Sequence, residues 1–80
     1  PRSVRCAVVT VSDTRTAATD TSGARIRALL EEAGHEVASY AIVPDEPDLI
    51  RREFGALPVD AQVVILNGGT GLSPRDATFE

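Results

Sequence analysis

The hydrophobic pattern of this chain alternates between segments typical of strands and segments typical of helices. Valine and other β-branched residues are concentrated in three short stretches, which predict strands at residues 4–11, 36–43 and 61–66. The third stretch is apolar at consecutive positions, as a strand is when both faces are buried in the centre of a parallel sheet. A polar segment rich in Thr, Ser and Asp, residues 12–22, predicts a loop after the first strand.

Two helices are predicted between these strands. Residues 23–33 place apolar side chains on one helical face. Thr21 or Ser22 can cap the start of this helix, and Gly34 can end it. The second helix is predicted to begin in the acidic, proline-containing segment at residues 44–48. Its buried stripe is expected to consist of Ile50, Phe54 and Leu57.

The start of a third helix follows the third strand. Ser73 is its predicted N-cap, with Pro74 in the first helical position and Asp76 in the first turn. The order β-α-β-α-β-(α) predicts an α/β fold with a mainly parallel sheet and right-handed crossovers. Two helices and the beginning of a third cannot cover both faces of such a sheet. We therefore expect residues 1–80 to form a single domain that is incomplete at its C-terminus; the alternative is a complete unit covered by an oligomeric partner.

Composition and charge exclude several classes of partner. The longest apolar run, Val63 to Leu66, is far shorter than the ~20 residues of a membrane span, and no segment resembles a secretory signal. These features lead us to expect a cytoplasmic protein. Twelve acidic residues against eight basic ones give a net charge of −4. The arginines are scattered and aromatic residues are few, so neither a nucleic acid nor a membrane is expected as a partner.

The single cysteine and the single histidine limit the chemistry that side chains can perform. Cys6 lies in the first strand, where we expect a buried structural thiol rather than an activated nucleophile. His35 follows a glycine and is expected to be a solvated turn residue. Neither a cysteine-based metal site nor a Ser-His-Asp or Cys-His catalytic set is indicated.

The candidate ligand site lies where the strands end, because ligands bind beyond the carboxyl ends of strands in an open parallel sheet. Polar residues follow all three strands: Ser12 and Asp13, then Asp45, then residues 67–71. Within the last of these, the sequence Gly-Gly-Thr-Gly can turn its N–H groups inward to bind an anion, and the helix after it adds a positive dipole end. A phosphate is the expected guest, although a tight turn without a ligand is the alternative. The segment matches neither the Walker pattern nor Gly-x-Gly-x-x-Gly.

Three aspartates, Asp13, Asp45 and Asp76, are predicted on the same edge. Carboxylates beside a phosphate repel it unless a cation lies between them, and Mg²⁺ is bound by one or two carboxylates together with substrate phosphates. Each aspartate also has a structural interpretation, as a turn former, a helix cap or a capping-box acid. Together they favour a metal–phosphate site suited to phosphoryl or nucleotidyl transfer.

Six motifs run in order from the first strand to the last residue: VTVSDTR at 9–15, DTSG at 20–23, GHEV at 34–37, VPD at 43–45, GGTG at 68–71 and RDATFE at 75–80. This set resembles the molybdopterin-binding domain family, and within it the molybdenum cofactor biosynthesis proteins of the B type, which are relatives of the molybdopterin adenylyltransferases. The chain departs from the family pattern at Asn67, where Thr is usual, and at Phe79, where Pro is frequent. A later Pro-Gly loop that helps to build the site in relatives is absent from these 80 residues.

This resemblance implies a three-layer α/β sandwich that assembles as a homo-oligomer, a trimer or a hexamer, and binds molybdopterin. In adenylyltransferase members the terminal phosphate of molybdopterin attacks the α-phosphorus of ATP in a Mg²⁺-dependent step, and pyrophosphate leaves. By resemblance, the catalytic and metal-holding residues of this chain are Asp45 and Asp76. The expected substrate-binding residues are Ser12, Asp13, Gly68, Gly69, Thr70, Gly71, Ser73, Thr78 and Glu80.

Three functions stay open. The chain is a molybdopterin adenylyltransferase, or a non-catalytic carrier or scaffold module that binds molybdopterin, or an unrelated small nucleotide-binding α/β domain. Other molybdenum cofactor biosynthesis proteins are further candidate partners. ATP turnover separates the first function from the second, and nucleotide binding without dependence on the pterin would indicate the third.

Overall fold

Residues 3–68 are described by the structure, a computed structural model. Three strands and two helices alternate along them, as the hydrophobic pattern predicts. Their bounds are β1 at Arg5–Val11, α1 at Thr21–Glu32, β2 at Glu36–Val43, α2 at Pro47–Gly55 and β3 at Val63–Asn67. The predicted third helix lies outside the described residues. No helix within residues 3–68 combines the length and the apolar content needed to cross a membrane.

The three strands form one parallel sheet in the order β2-β1-β3. β1 pairs with β2 up to Val11 opposite Val43, and with β3 up to Thr10 opposite Asn67. The predicted α/β fold with a parallel sheet is therefore confirmed. Since all strands run in the same direction, their carboxyl ends meet at one edge.

The core of the described residues is β1. Its side chains from Cys6 to Val9 are at most 1% exposed, because strands flank both of its edges and α1 packs against it and against β2. Burial of Cys6 confirms the prediction of a structural thiol.

Two predictions about burial are wrong for the described residues. The pattern predicts a central position for the third strand, but β3 lies at an edge of the described sheet, and Val63 and Leu66 are 41% and 55% exposed. It also predicts a buried stripe on α2, but Phe54 is 44% exposed and no residue of α2 is buried. The physical reason is the topology: the chain returns past β1 to form β3, so β1 takes the central place, and α2 packs along β2.

The N-cap of helix α1 is Asp20 rather than the predicted Thr21 or Ser22. Oδ1 of Asp20 accepts a hydrogen bond from the Gly23 N–H at 3.0 Å, which satisfies one of the unpaired donors of the first turn. The prediction is wrong because three consecutive residues, Asp20, Thr21 and Ser22, can each cap a helix. The spacing of the apolar residues does not show which of them does so.

Gly34 ends α1, as predicted. It has a φ of 90°, its N–H donates to the carbonyl of Glu31 at 3.0 Å, and the His35 N–H donates to the carbonyl of Leu30 at 2.9 Å. Glycine adopts this left-handed conformation without the steric cost of a Cβ. His35 is half-buried rather than fully solvated, and its Nδ1 accepts a hydrogen bond from the Val4 N–H at 3.2 Å.

Candidate functional site at the carboxyl ends of the strands

The candidate site lies at the edge where the strands end. The chain passes from β1 to β2 on one side, then returns past β1 to β3 on the other side. Ligand sites of open α/β sheets lie at such a reversal of strand order. Ser12 and Asp13 follow β1 and Gly68 follows β3, so this reversal lies between the first predicted loop and the glycine-rich segment.

Gly68 packs closely against the end of β1. A Cβ atom at this position would lie 3.0 Å from both the Cβ and the carbonyl oxygen of Val11. One residue earlier, Nδ2 of Asn67 donates a hydrogen bond to Oγ1 of Thr10 at 3.2 Å. The amide of Asn67, one of the departures from the family pattern, thus ties the start of the glycine-rich segment to the buried centre of the sheet.

Two hydrogen bonds join the loop that follows β1 to the end of β2 and to the loop after it. The Ser12 N–H donates to the carbonyl of Val43 at 2.9 Å, and the Asp45 N–H donates to Oδ1 of Asp13 at 2.9 Å. The N-cap of α2 is Glu46, so the helix-cap interpretation of Asp45 is wrong. Asp45 is instead an exposed residue whose backbone is fixed by the neighbouring loop.

Ser12 shapes the loop that it begins. Its Oγ accepts hydrogen bonds from the N–H groups of Thr14 at 3.3 Å and Arg15 at 3.1 Å. A serine in this position forms a local turn in place of regular secondary structure. Because a hydroxyl group can accept and donate at once, Ser12 can hold this turn and still donate its hydrogen to an anion.

The other predicted site residues lie outside the described residues: Gly69, Thr70, Gly71, Ser73, Asp76, Thr78 and Glu80. Within residues 3–68, no group of three or more His, Cys, Asp or Glu side chains is arranged to hold a metal ion. The structure therefore places Asp45 but does not test its pairing with Asp76, which stays a prediction.

A buried carboxylate for which the sequence predicts no role, that of Asp20, lies between α1 and β2. Asp20 is 1% exposed. Its Oδ2 accepts a hydrogen bond from the Tyr40 hydroxyl at 2.6 Å, and Nη1 of Arg15 lies 3.8 Å from its Oδ1. Asp20 thus joins the start of α1 to β2, and a separate hydrogen bond from Asn67 to Thr10 joins β3 to β1.

The partners of Asp20 keep it ionised. Burial alone raises the pKa of Asp20, but hydrogen bonds from Tyr40, Thr10 and Gly23 and the charge of Arg15 outweigh burial and hold the pKa below its usual value. Burial and the bond to the Asp20 carboxylate raise the pKa of Tyr40. At neutral pH the pair therefore consists of a carboxylate and a protonated phenol.

The variant Tyr40→Phe tests this network. It removes the hydroxyl donor but keeps the ring, which lies 3.8 Å below the guanidinium carbon of Arg27. We expect the free energy of unfolding of the complete protein to fall by about 2 kcal/mol near pH 7, as for a lost hydrogen bond to a charged group. Because the folded pKa of Asp20 is lowered, this stabilisation is present above about pH 4 and is lost as the pH falls through the folded pKa.

The difference between Tyr40→Phe and the parent protein should therefore shrink in urea unfolding series carried below about pH 4. A difference that stays constant down to the lowest pH at which the protein folds would contradict the ionised network.

A second variant, Gly23→Ala, tests how closely α1 approaches Asp20. A Cβ at Gly23 would overlap Oδ2 of Asp20 and lie 2.8 Å from its Cγ and 3.0 Å from Oγ1 of Thr10. Because these atoms are buried and hydrogen-bonded, we expect a loss of about 2 kcal/mol in the free energy of unfolding. The matched control is Gly55→Ala, since nothing lies within 4 Å of a Cβ there. Equal urea midpoints for the two variants would refute the close approach.

Comparison with known proteins identifies relatives of this chain. A family model described as a probable molybdopterin binding domain matches residues 7–80. The chain is 51% identical over 82 residues to molybdenum cofactor biosynthesis protein B of Bacillus subtilis, a match that covers 100% of this chain and 48% of that relative. It is 44% identical over 82 residues to the protein of the same name from Staphylococcus carnosus, covering 99% of this chain and 48% of that relative.

A solved structure confirms the fold. The crystal structure of a molybdenum cofactor biosynthesis protein B matches with a TM-score of 0.81 and 50% sequence identity, over 98% of this chain and 50% of that chain. The chain thus spans about half the length of the curated relatives that it matches.

Proposed function

This chain belongs to the molybdopterin-binding domain family, and from that premise we propose that it acts in molybdenum cofactor biosynthesis by binding molybdopterin and adenylylating its terminal phosphate with Mg-ATP. The names of its relatives, which are 51% and 44% identical to it over 82 aligned residues, support the pathway. Support for the reaction itself comes from the residues at the carboxyl ends of the strands.

The observation that carries the proposal is the position of Asp45. Its backbone N–H donates a hydrogen bond to Oδ1 of Asp13 at 2.9 Å. Gly68, the first residue of the glycine-rich segment, follows β3 at the same edge of the sheet. An exposed carboxylate at the same sheet edge as a proposed phosphate-binding segment is unfavourable without a cation and favourable with one. This arrangement supports a site for a metal ion and a phosphate.

The proposed reaction transfers an adenylyl group between phosphates. An oxygen of the terminal phosphate of molybdopterin attacks the α-phosphorus of ATP, and a new P–O bond forms. The bond from the α-phosphorus to its bridging oxygen breaks, and pyrophosphate leaves with that oxygen. In this proposal Gly68, Gly69, Thr70 and Gly71 bind the accepting phosphate through backbone N–H groups, and the hydroxyl of Ser73 adds a donor.

Asp45 and Asp76 are the proposed magnesium ligands. Mg²⁺ requires only one or two carboxylates together with phosphate oxygens and water, and an exposed Asp45 with a fixed backbone meets that requirement. When bound, Mg²⁺ neutralises charge on the reacting phosphates. Thr78 and Glu80 are assigned to substrate binding by resemblance alone.

A homo-oligomer, a trimer or a hexamer, also belongs to the proposal, as does contact with other proteins of molybdenum cofactor biosynthesis. Large apolar side chains are exposed within residues 3–68, and exposed apolar surface supports burial against further protein. These side chains are Leu29, Phe54, Val59, Val63, Val64 and Leu66.

The test is an adenylylation assay on the complete protein with molybdopterin, ATP and MgCl₂, in which pyrophosphate and adenylyl-molybdopterin are quantified. Pyrophosphate release that depends on the pterin and stops on addition of EDTA would support the enzyme. Pterin binding without release would indicate a carrier or scaffold. Nucleotide binding that is indifferent to the pterin would indicate an unrelated nucleotide-binding domain.

A further inference from the structure

We propose that Asp13 is a positioning residue, which acts by holding the backbone of Asp45 and does not itself contact metal or substrate. This inference rests on the proposed function, because it assigns Asp13 a role through the carboxylate of Asp45. It also differs from the substrate-binding role that the family resemblance implies for Asp13.

A hydrogen bond joins the loop after β1 to the loop after β2. Oδ1 of Asp13 accepts from the Asp45 N–H at 2.9 Å across 32 positions in the sequence. The Ser12 N–H donates to the carbonyl of Val43 at 2.9 Å, so the bond from Asp13 continues the pairing of β1 with β2 past the ends of both strands. Asp13 therefore connects the two loops beyond the point where the backbone pairing of β1 with β2 ends.

The Asp45 N–H has no other assigned role in the fold. Helix α2 begins two residues later, at Pro47. Glu46 is its N-cap and makes no side-chain capping hydrogen bond. The orientation of residue 45 is thus set by the Asp13 carboxylate rather than by the helix. A catalytic group must be held within a fraction of an ångström, and loss of such a support costs about 10- to 100-fold in rate.

Two substitutions at residue 13 separate positioning from direct contact. Asp13→Asn keeps an oxygen that can accept the Asp45 N–H and removes the negative charge, whereas Asp13→Ala removes both. We expect Asp13→Asn to keep at least about a third of the parent kcat and Asp13→Ala to lose about 10- to 100-fold in kcat, with the KM values for molybdopterin and Mg-ATP little changed. If both variants lose activity equally, the charge is required and the inference is overturned.

A double-mutant cycle tests whether Asp13 acts through Asp45. In an Asp45→Asn background, Asp13→Ala should cause less than about a threefold further loss, because the carboxylate that it positions is already gone. Losses that multiply fully would show that the two residues act independently and would overturn the inference. Asp48→Ala, at an exposed acid in the first turn of α2, is the matched control.

Amide hydrogen exchange without any ligand separates this inference from the proposed function. The Asp45 amide should be protected in the parent and in Asp13→Asn, and should exchange at least about tenfold faster in Asp13→Ala. An unprotected Asp45 amide in the parent overturns the positioning role whatever the activity. If the Asp45 amide is protected but the protein has no adenylylation activity, the proposed reaction is overturned. The hydrogen bond between Asp13 and Asp45 is then real, but it does not position a catalytic group.

Discussion

Replacing Asp20 with alanine is expected to lower the free energy of unfolding of the complete protein by about 3 kcal/mol. The carboxylate is 1% exposed and accepts hydrogen bonds from the Gly23 N–H and from the Tyr40 hydroxyl. Its removal leaves those buried donors without this acceptor. It also deletes the N-cap of α1, and Arg15 loses a carboxylate that lies 3.8 Å from its Nη1.

Urea unfolding followed by far-ultraviolet circular dichroism measures this loss, provided that the slope against urea concentration is unchanged. Asp48→Ala is the control, since the Asp48 side chain is 92% exposed and its pair with Arg51 is a surface pair within one helix. Its effect should stay within about 0.5 kcal/mol. If Asp20→Ala costs no more than Asp48→Ala, the buried network does not stabilise the fold.

The second large effect is expected on activity. Asp45→Asn should reduce pterin-dependent pyrophosphate release by about 100-fold or more, as loss of a group that stabilises transition-state charge does. An amide replaces the carboxylate, but the backbone N–H that donates to Asp13 is kept, so the loop geometry is preserved. Asp76→Asn is expected to abolish adenylylation as well, with most of the affinity for molybdopterin intact.

Steady-state adenylylation rates and titration of molybdopterin binding measure the two properties separately. Asp48→Asn is the matched control, because it removes one carboxylate from the start of α2 without touching the loop that carries Asp45. Unchanged adenylylation in both Asp45→Asn and Asp76→Asn would exclude the aspartate–metal mechanism. A parallel loss of pterin affinity would instead assign these aspartates to substrate binding.

The elements of the fold could be predicted because their signals are local. A run of β-branched residues, an apolar face with a helical period and a glycine at the end of a helix each depend on neighbouring positions, and Gly34 ends α1 where the sequence places it. The carboxyl-terminal edge follows from the same alternation, since parallel strands bring Ser12, Asp13 and Asp45 to one side of the sheet.

Burial and the Asp20 network could not be predicted because they depend on distant residues. Nothing near Asp20 in the sequence shows that Tyr40, 20 positions later, donates to it. The Asp-Thr-Ser-Gly motif contains a usable signal, a capping residue followed three positions later by a glycine, whose missing side chain leaves room for a buried carboxylate. The spacing of apolar residues in α2 and β3 shows which side chains favour burial. It does not show which other element packs against them.

The central place of β1 also has a consequence for synthesis on the ribosome. The hydrogen bond from the Val4 N–H to His35 spans 31 positions, whereas the one from the Arg5 N–H to Gln62 spans 57. Of the three strands, the most buried one therefore leaves the ribosome first, gains β2 as a partner next and waits longest for β3. Until β3 emerges, one edge of β1 is open, and an open edge is a template for pairing with other nascent chains. The time at which residues 63–67 emerge sets how long the growing chain is exposed to that hazard.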